Sequence, residues 1–313
     1  AIGIQVRVDS RKYPKPLNGQ PFDLPVVYED DHFAIVNKPA GVLCYDFNRS
    51  LYSVKSCAPY VLTPPRKGTA GVLRWPIHCH RLDKATSGLL MVGKTRQAMI
   101  HITEQFVRRN VKKTYTAIVN GVPAESEHES ISSEEAYHKM GVDVDPKSEA
   151  RWQVIDYALK GRDAITVWRS LRRVKSDRAK DGYLTLVEMK PKTGKYHQLR
   201  RHMSWVCETP LVGDSTYDRG GEATRLRGRG LFLCSNRLRI EHPHFNTESG
   251  RKVWDNMKNE TEKYQGGALG LDENDRVVVS VSIPLPAKFG QMLEWSEKHA
   301  TVDSDESDDF LAP

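Results

Sequence analysis

The stretch His80-Arg81-Leu82-Asp83-Lys84-Ala85-Thr86-Ser87-Gly88-Leu89-Leu90-Met91-Val92 joins a polar, turn-capable segment to an unbroken apolar one. Thr86, Ser87 and Gly88 can turn the backbone and offer hydroxyl and amide donors, and the run that follows reads as a buried strand. Asp83 is then a lone carboxylate beside Arg81 at the mouth of a core strand. On composition alone, an Asp so placed is more often a turn or cap residue than a catalyst. The rest of the chain decides between the two.

Upstream, residues 26–28 and 33–36 read as two strands closing on Lys38-Pro39-Ala40-Gly41. Residues 59–76, with Pro64-Pro65, Gly68 and Gly71, read as a loop leading into the opening motif. Downstream, Thr95 can cap a helix with Ala98, Met99, Ile102, Phe106 and Val107 on one face and Asn110 as a left-handed terminator. Residues 113–119 alternate Tyr115, Ala117 and Val119 with polar neighbours, the pattern of a half-buried strand. Further strands are expected near 164–168, 183–189, 231–234 and 277–283. A turn at 191–195 opens a helix with the stripe Leu199, Met203 and Val206. Strands outnumber helices and no repeat is visible, so the pattern favours an α+β fold over a doubly wound one.

The expected organisation is an extended lead-in over 1–25 and one catalytic domain over 26–300, with polar, exposed insertions near 125–145 and 246–275. An acidic, disordered tail over 301–313 completes it. The 313 residues are 39% hydrophobic and 28% charged, which suits a soluble protein with a substantial core. No apolar run reaches the roughly 18 residues of a membrane helix, so no membrane partner is expected. The start reads as trimmed, and the expected location is intracellular, cytoplasmic or organellar. Five scattered cysteines fit reduced thiols better than a disulfide framework. His78-Cys79-His80 has no second ligand pair at metal spacing, and no cofactor is expected.

Charge points to the partner. The net charge is +7, yet Asp303, Asp305, Glu306, Asp308 and Asp309 all fall in the tail, leaving 35 acids against 47 basic residues, +12, for the rest. The basic residues gather in four clusters, around 108–113, 169–180, 190–201 and 225–239. Several clusters of one sign on one domain fit a polyanion.

Set in order, Lys38-Pro39-Ala40-Gly41, His80-Arg81-Leu82-Asp83 with Thr86-Ser87-Gly88, Lys113-x-Tyr115, Gly194-x-x-His197-Gln198-Leu199-Arg200, Gly213-Asp214-x-x-Tyr217 and His242-Pro243 resemble the RluA-type pseudouridine synthases. The longer string from Pro191 to His202 is most similar to the subgroup called tRNA pseudouridine synthase C, which modifies a uridine in the T stem of tRNA. The resemblance implies a mixed, largely antiparallel sheet with flanking helices and a structured RNA as partner, tRNA before rRNA; no obligatory protein partner is evident in the sequence, and a monomer is expected. Asp83 matches the catalytic aspartate, which attacks or deprotonates the ribose so that uracil detaches, rotates and rejoins through carbon. Both a covalent adduct and a glycal intermediate stay open. Arg200 matches the residue that ion-pairs with that aspartate, and Tyr115 the tyrosine against the target base. Arg81 matches the arginine pushed into the RNA helix, and Lys113, His197 and Gln198 fall in motifs expected to bind substrate. Leu233-Cys234-Ser235 departs from the usual Leu-His-Ala, which points to an altered helper contact. The rival reading is an RNA-binding or remodelling protein that keeps the fold without the chemistry.

Overall fold

The computed structural model describes residues 4–5, 12–13, 19–45, 52–124, 129–218, 229–264 and 268–300. The tail over 301–313 and most of the lead-in lie outside the described residues. At the centre is the strand expected from the opening motif, β5 (Ser87–Thr95), buried at every position. Its side chains serve two cores. Leu89 and Met91 face one, Leu90 and Val92 the other, as the two-residue period of a strand requires.

On one side of β5 lie β3 (Phe33–Lys38), β2 (Val26–Glu29) and the short β1 (Ile4–Gln5); on the other come β11 (Leu233–Glu241), β6 (Lys112–Asn120), β10 (Tyr183–Pro191), β9 (Ile165–Lys175), β8 (Arg151–Asp156) and β7 (Glu129–Ser132). Three strands stand off this path: β4 (Val72–His78) pairs β5, β13 (Val277–Ser282) pairs β11, and β12 (Leu269–Leu271) pairs β13. Among the described strands, only β1 with β2 and β5 with β11 run parallel; the other pairs are antiparallel. The sheet is mixed and largely antiparallel, and the fold is α+β. Ala98 and Ile102 of α2 (Arg96–Val107), Trp254 of α5 (Glu248–Tyr264) and Phe289 of α6 (Ala287–His299) pack on one face. Val54 of α1 (Val54–Val61) and Leu199 and Met203 of α4 (Gln198–Trp205) pack on the other.

Several elements differ from their sequence patterns, each for a physical reason. β6 is buried on both faces from Thr114 to Asn120, because its alternating polar residues are threonines whose hydroxyls find partners inside. Thr114 accepts from Lys190 Nζ at 2.8 Å and Thr116 donates to Asn236 at 3.1 Å. Thr95 caps α2 by accepting from Ala98 N. However, Val107 is 78% exposed, and the left-handed residue is Arg109, φ 63°, not Asn110. Asn110 N instead reaches back to Gln105 O and Arg109 N to Phe106 O, the paired bonds of a Schellman ending. The proline-rich 59–76 segment holds the end of α1, with Pro59 inside it, and most of β4. Pro76 is tolerated because β4 lies at the margin of the sheet, paired with β5 alone.

The two insertions are also more ordered than their polarity suggests. In the first, β7 and α3 (Ser133–His138) bring Ile131, Ala136 and Val142 onto Trp152 and Val167, a small third core. In the second, α5 inserts Trp254 among the main-core residues. Residues 125–128 and 265–267 lie outside the described residues.

Candidate active site

Asp83 sits on a loop fastened from below. Lys38, fully buried at the end of β3, donates from Nζ to the carbonyls of Pro39 (3.0 Å), Val42 (2.8 Å) and Lys84 (3.3 Å). Gly41 N donates to the same Lys84 carbonyl at 2.8 Å, and Leu82 exchanges two backbone contacts with the Cys44 thiol at 3.3 Å. Burial pushes the Lys38 ammonium down to about 8, and the nearby Asp83 charge partly offsets this. The Lys-Pro-Ala-Gly motif therefore clasps the Asp83 loop against β3. Thr86 N closes the turn on Asp83 O at 3.1 Å before β5 begins.

Arg200, on α4, faces this loop. Its Nη1 lies 3.7 Å from Asp83 Oδ2, within ion-pair reach as the motifs require. Its principal partner is a different carboxylate. Asp214 takes Arg200 Nε and Nη2 at 2.7 Å each and accepts the amides of Thr216 and Tyr217. A bidentate pair with further donors satisfied is the favourable case for a buried charge. Asp214 therefore fixes the guanidinium, and the looser contact leaves Asp83 free to meet a substrate. The Asp83 side chain keeps 24% of its surface and that of Asp214 none.

His197 begins α4 in the left-handed region, φ 53° and ψ 28°, a strained conformation for a residue with a Cβ. Its ring stacks on Tyr196 with centroids 3.7 Å apart, and its Nε2 is 3.6 Å from Asp83 Oδ2. Arg200 Nη1 donates to Nε2 at 3.2 Å, which assigns the ring proton to Nδ1, 2.9 Å from Tyr217 Oη. Burial prevails over the opposing Asp83 charge and, with Arg200 adding to it, holds His197 below its ordinary value, so the neutral ring makes no ion pair with Asp83 at pH 7. Gln198 holds this turn. Its amide oxygen accepts from Thr193 Oγ1 and Lys195 N, and its nitrogen donates to Ile165 O and Thr166 Oγ1. All four hydrogen-bonding places are filled inside the protein, which leaves none for RNA.

Tyr115 lies on β6 opposite Ser235 of β11. Burial pushes its phenol up to about 12; the Ser235 hydroxyl eases the shift and the Asp83 charge adds to it. At neutral pH the phenol keeps its proton. The departure at 234 is a core matter, since Cys234 packs in the opposite core while Ser235 faces Tyr115. Arg81 is exposed beside Asp83. Lys113 stands apart: its Nζ lies 5.4 Å from the Phe106 ring centroid, and no ion pair joins it to Asp83 among the described residues. Asp83, Arg200, His197 and Tyr115 thus share one site, while Gln198 and Lys113 do not reach its carboxylate. Lys38 and Asp214 had no role assigned from sequence. The available signal was a lysine ending an apolar strand and a carboxylate following Gly213.

A carboxylate oriented by a clamped arginine at an open site, with a protonated phenol nearby, can engage an electrophilic carbon or a proton beside one. The same fold occurs in the human RNA pseudouridylate synthase domain containing 4, with a TM-score of 0.54 at 18% identity over 86% of this chain and 92% of that one. The RNA pseudouridylate synthase family model matches residues 32–205. A tRNA pseudouridine synthase C of Vibrio parahaemolyticus is 31% identical over 236 residues, 73% of this chain and 89% of that protein. A ribosomal large subunit pseudouridine synthase D of Zymomonas mobilis is 30% identical over 250 residues, 77% of this chain and 71% of that protein. These likenesses define an RNA-modifying isomerase. The chain belongs to the RNA pseudouridylate synthase family, as the RluA-type motifs indicate, and isomerises uridine in RNA.

Proposed function

We propose that Asp83 is the catalytic carboxylate of this isomerase and that its substrate is a uridine in a tRNA stem, the T stem by resemblance, ahead of ribosomal RNA. One observation carries the assignment: of the two carboxylates against Arg200, Asp83 is the one that reaches solvent. Asp83 engages the ribose, by adding at C1′ or by taking a proton from C2′. The N-glycosidic electrons leave with N1 of uracil, the ring turns, and C5 bonds to C1′ as the Asp83–C1′ bond breaks or, on the other route, as the proton returns to C2′; the C5 proton is then lost to solvent and N1 takes one up. Arg200, held by Asp214, orients Asp83, and Tyr115 serves as a proton-bearing phenol against the base. The exposed Arg81 enters the stem as the uridine leaves it, offsetting part of a flipping cost of a few kcal/mol. The tRNA preference is supported by the 191–202 string and by relatives whose names specify tRNA.

The test is tritium release from transcripts labelled at uridine C5. Wild type releases tritium from tRNA, and Asp83→Asn releases none while still binding it. Two results overturn the assignment: release by Asp83→Asn at the wild-type rate, or no release by wild type from any tRNA or rRNA fragment. The second would favour a silent RNA-binding protein.

A further inference from the structure

A second concave site opens between β6, the end of β10 and the 141–143 segment of the first insertion. Its lining carries Arg109, Lys112, Lys113, Lys190 and Lys192 against a single carboxylate, Asp143. Part of that charge is answered within the fold. Lys190 Nζ lies 3.7 Å from Glu188 and donates to Thr114 and to the Asp143 carbonyl, while the Asp143 carboxylate is 3.2 Å from Arg239. For Arg109, Lys113 and Lys192 no ion pair occurs among the described residues.

Two ammonium groups converge at the floor. Lys112 Nζ donates to Gly141 O at 2.8 Å, and a Cβ built on Gly141 would lie 3.7 Å from Lys112 Nζ and 3.4 Å from Lys192 Nζ. Burial, then the charges of Lys112 and Arg109, lower Lys192 from its ordinary value. Cations crowded in this way repel one another, and an entering anion relieves them.

We propose that this notch binds a backbone phosphate of the RNA substrate, on the strand that delivers its uridine to Asp83. The inference rests on the placement of the reacting uridine at Asp83. Lys112 precedes Tyr115 by three residues on β6, about 10 Å along the strand but on its opposite face, so the link to the site runs through Lys192, which opens the turn that carries His197. Gly141 and Asp143 come from an insertion that the family motifs do not account for, so this chain builds the notch with a segment of its own.

The experiment measures the affinity of the full chain for tRNA transcripts over a series of salt concentrations. Lys192→Gln should weaken binding several-fold, with the log–log salt slope shallower by about 0.7–0.9, one phosphate contact. Lys192→Arg should keep the wild-type slope. Gly141→Asn tests the notch by filling it without changing charge, since Asn tolerates the φ of +56°; it should weaken binding as well. Wild-type affinity and slope in both Lys192→Gln and Gly141→Asn overturn the proposal. Because the readout is binding, it separates from the catalytic assignment: retained tritium release by Asp83→Asn defeats that reading whatever the slopes show.

Discussion

At the scale of single residues, the site turns on how one arginine is divided between two carboxylates. Arg200 gives Asp214 two contacts of 2.7 Å and Asp83 one of 3.7 Å. Asp214→Asn keeps the shape and removes the charge, so the guanidinium should close on Asp83. Breaking the buried pair should cost about 3 kcal/mol of stability. If Asp83 is the catalytic carboxylate as proposed, the isomerisation rate should fall at least tenfold with RNA affinity nearly unchanged, because that carboxylate becomes occupied rather than lost. Single-turnover rates beside a binding titration check this, and an unchanged rate would show that the Asp214 clamp does not matter to the chemistry. Asp83, Tyr115, Arg200 and His197 were legible as a group because motif order carries them. The roles of Asp214 and Lys38 were not, since a carboxylate that holds an arginine and a lysine that collects three carbonyls show themselves only once the chain is folded.

At the scale of elements, the site depends on the one place where β5 and β11 run side by side in parallel. Cys234 is opposite Ser87 and Ser235 opposite Gly88 there, joining the Asp83 loop to the strand that faces Tyr115. Gly88 has φ +113°, and a Cβ there would lie 2.2 Å from the Ser235 carbonyl oxygen. Gly88→Ala must part the two strands, and we expect a loss of about 3 kcal/mol or more with a matching loss of activity. Gly161→Ala is the control: φ is +69° with nothing within 4 Å, so only backbone strain of about 1 kcal/mol applies. Urea midpoints at constant slope separate the two, and equal losses would remove the steric explanation. β5 and α4 were readable because an unbroken apolar run and a helical stripe are strong signals. α1, β4 and the first insertion were not. Pro59 and Pro76 mimic loop punctuation, and an insertion whose small core gathers on Trp152 and Val167 from outside itself has little periodicity of its own.

For the molecule as a whole, the helices and loops around this wide sheet bury histidines in neutral form, and that sets how the fold responds to acid. His80 accepts from Met91 N at 3.0 Å beneath Phe106, and burial, then the Lys113 charge, push it down to about 3. His202, with no exposed surface, is bonded to Thr166 and the Tyr157 carbonyl, and burial brings it down to about 4. Unfolded, both bind protons at their ordinary value of 6.5. Below that value the unfolded chain binds more protons than the native one, so stability is complete above about pH 6.5 and is lost as pH falls. Each histidine should contribute roughly 2 kcal/mol of loss by pH 5, at about 1.4 kcal/mol per pH unit, or roughly 4 kcal/mol together. Asp30 acts in a lower window. Burial opposes its charged form, but the His242 contact at 2.6 Å prevails and holds its carboxyl well below the ordinary range, so its contribution leaves only below about pH 4. Urea unfolding at pH 7 and pH 5 should therefore show a drop that His80→Gln and His202→Gln each reduce by roughly 2 kcal/mol, the remainder belonging to histidines such as His32, His78 and His244 that burial also holds below their ordinary value. A drop left at its full size by both substitutions would mean that His80 and His202 are already charged in the native protein and that the acid sensitivity lies in other groups.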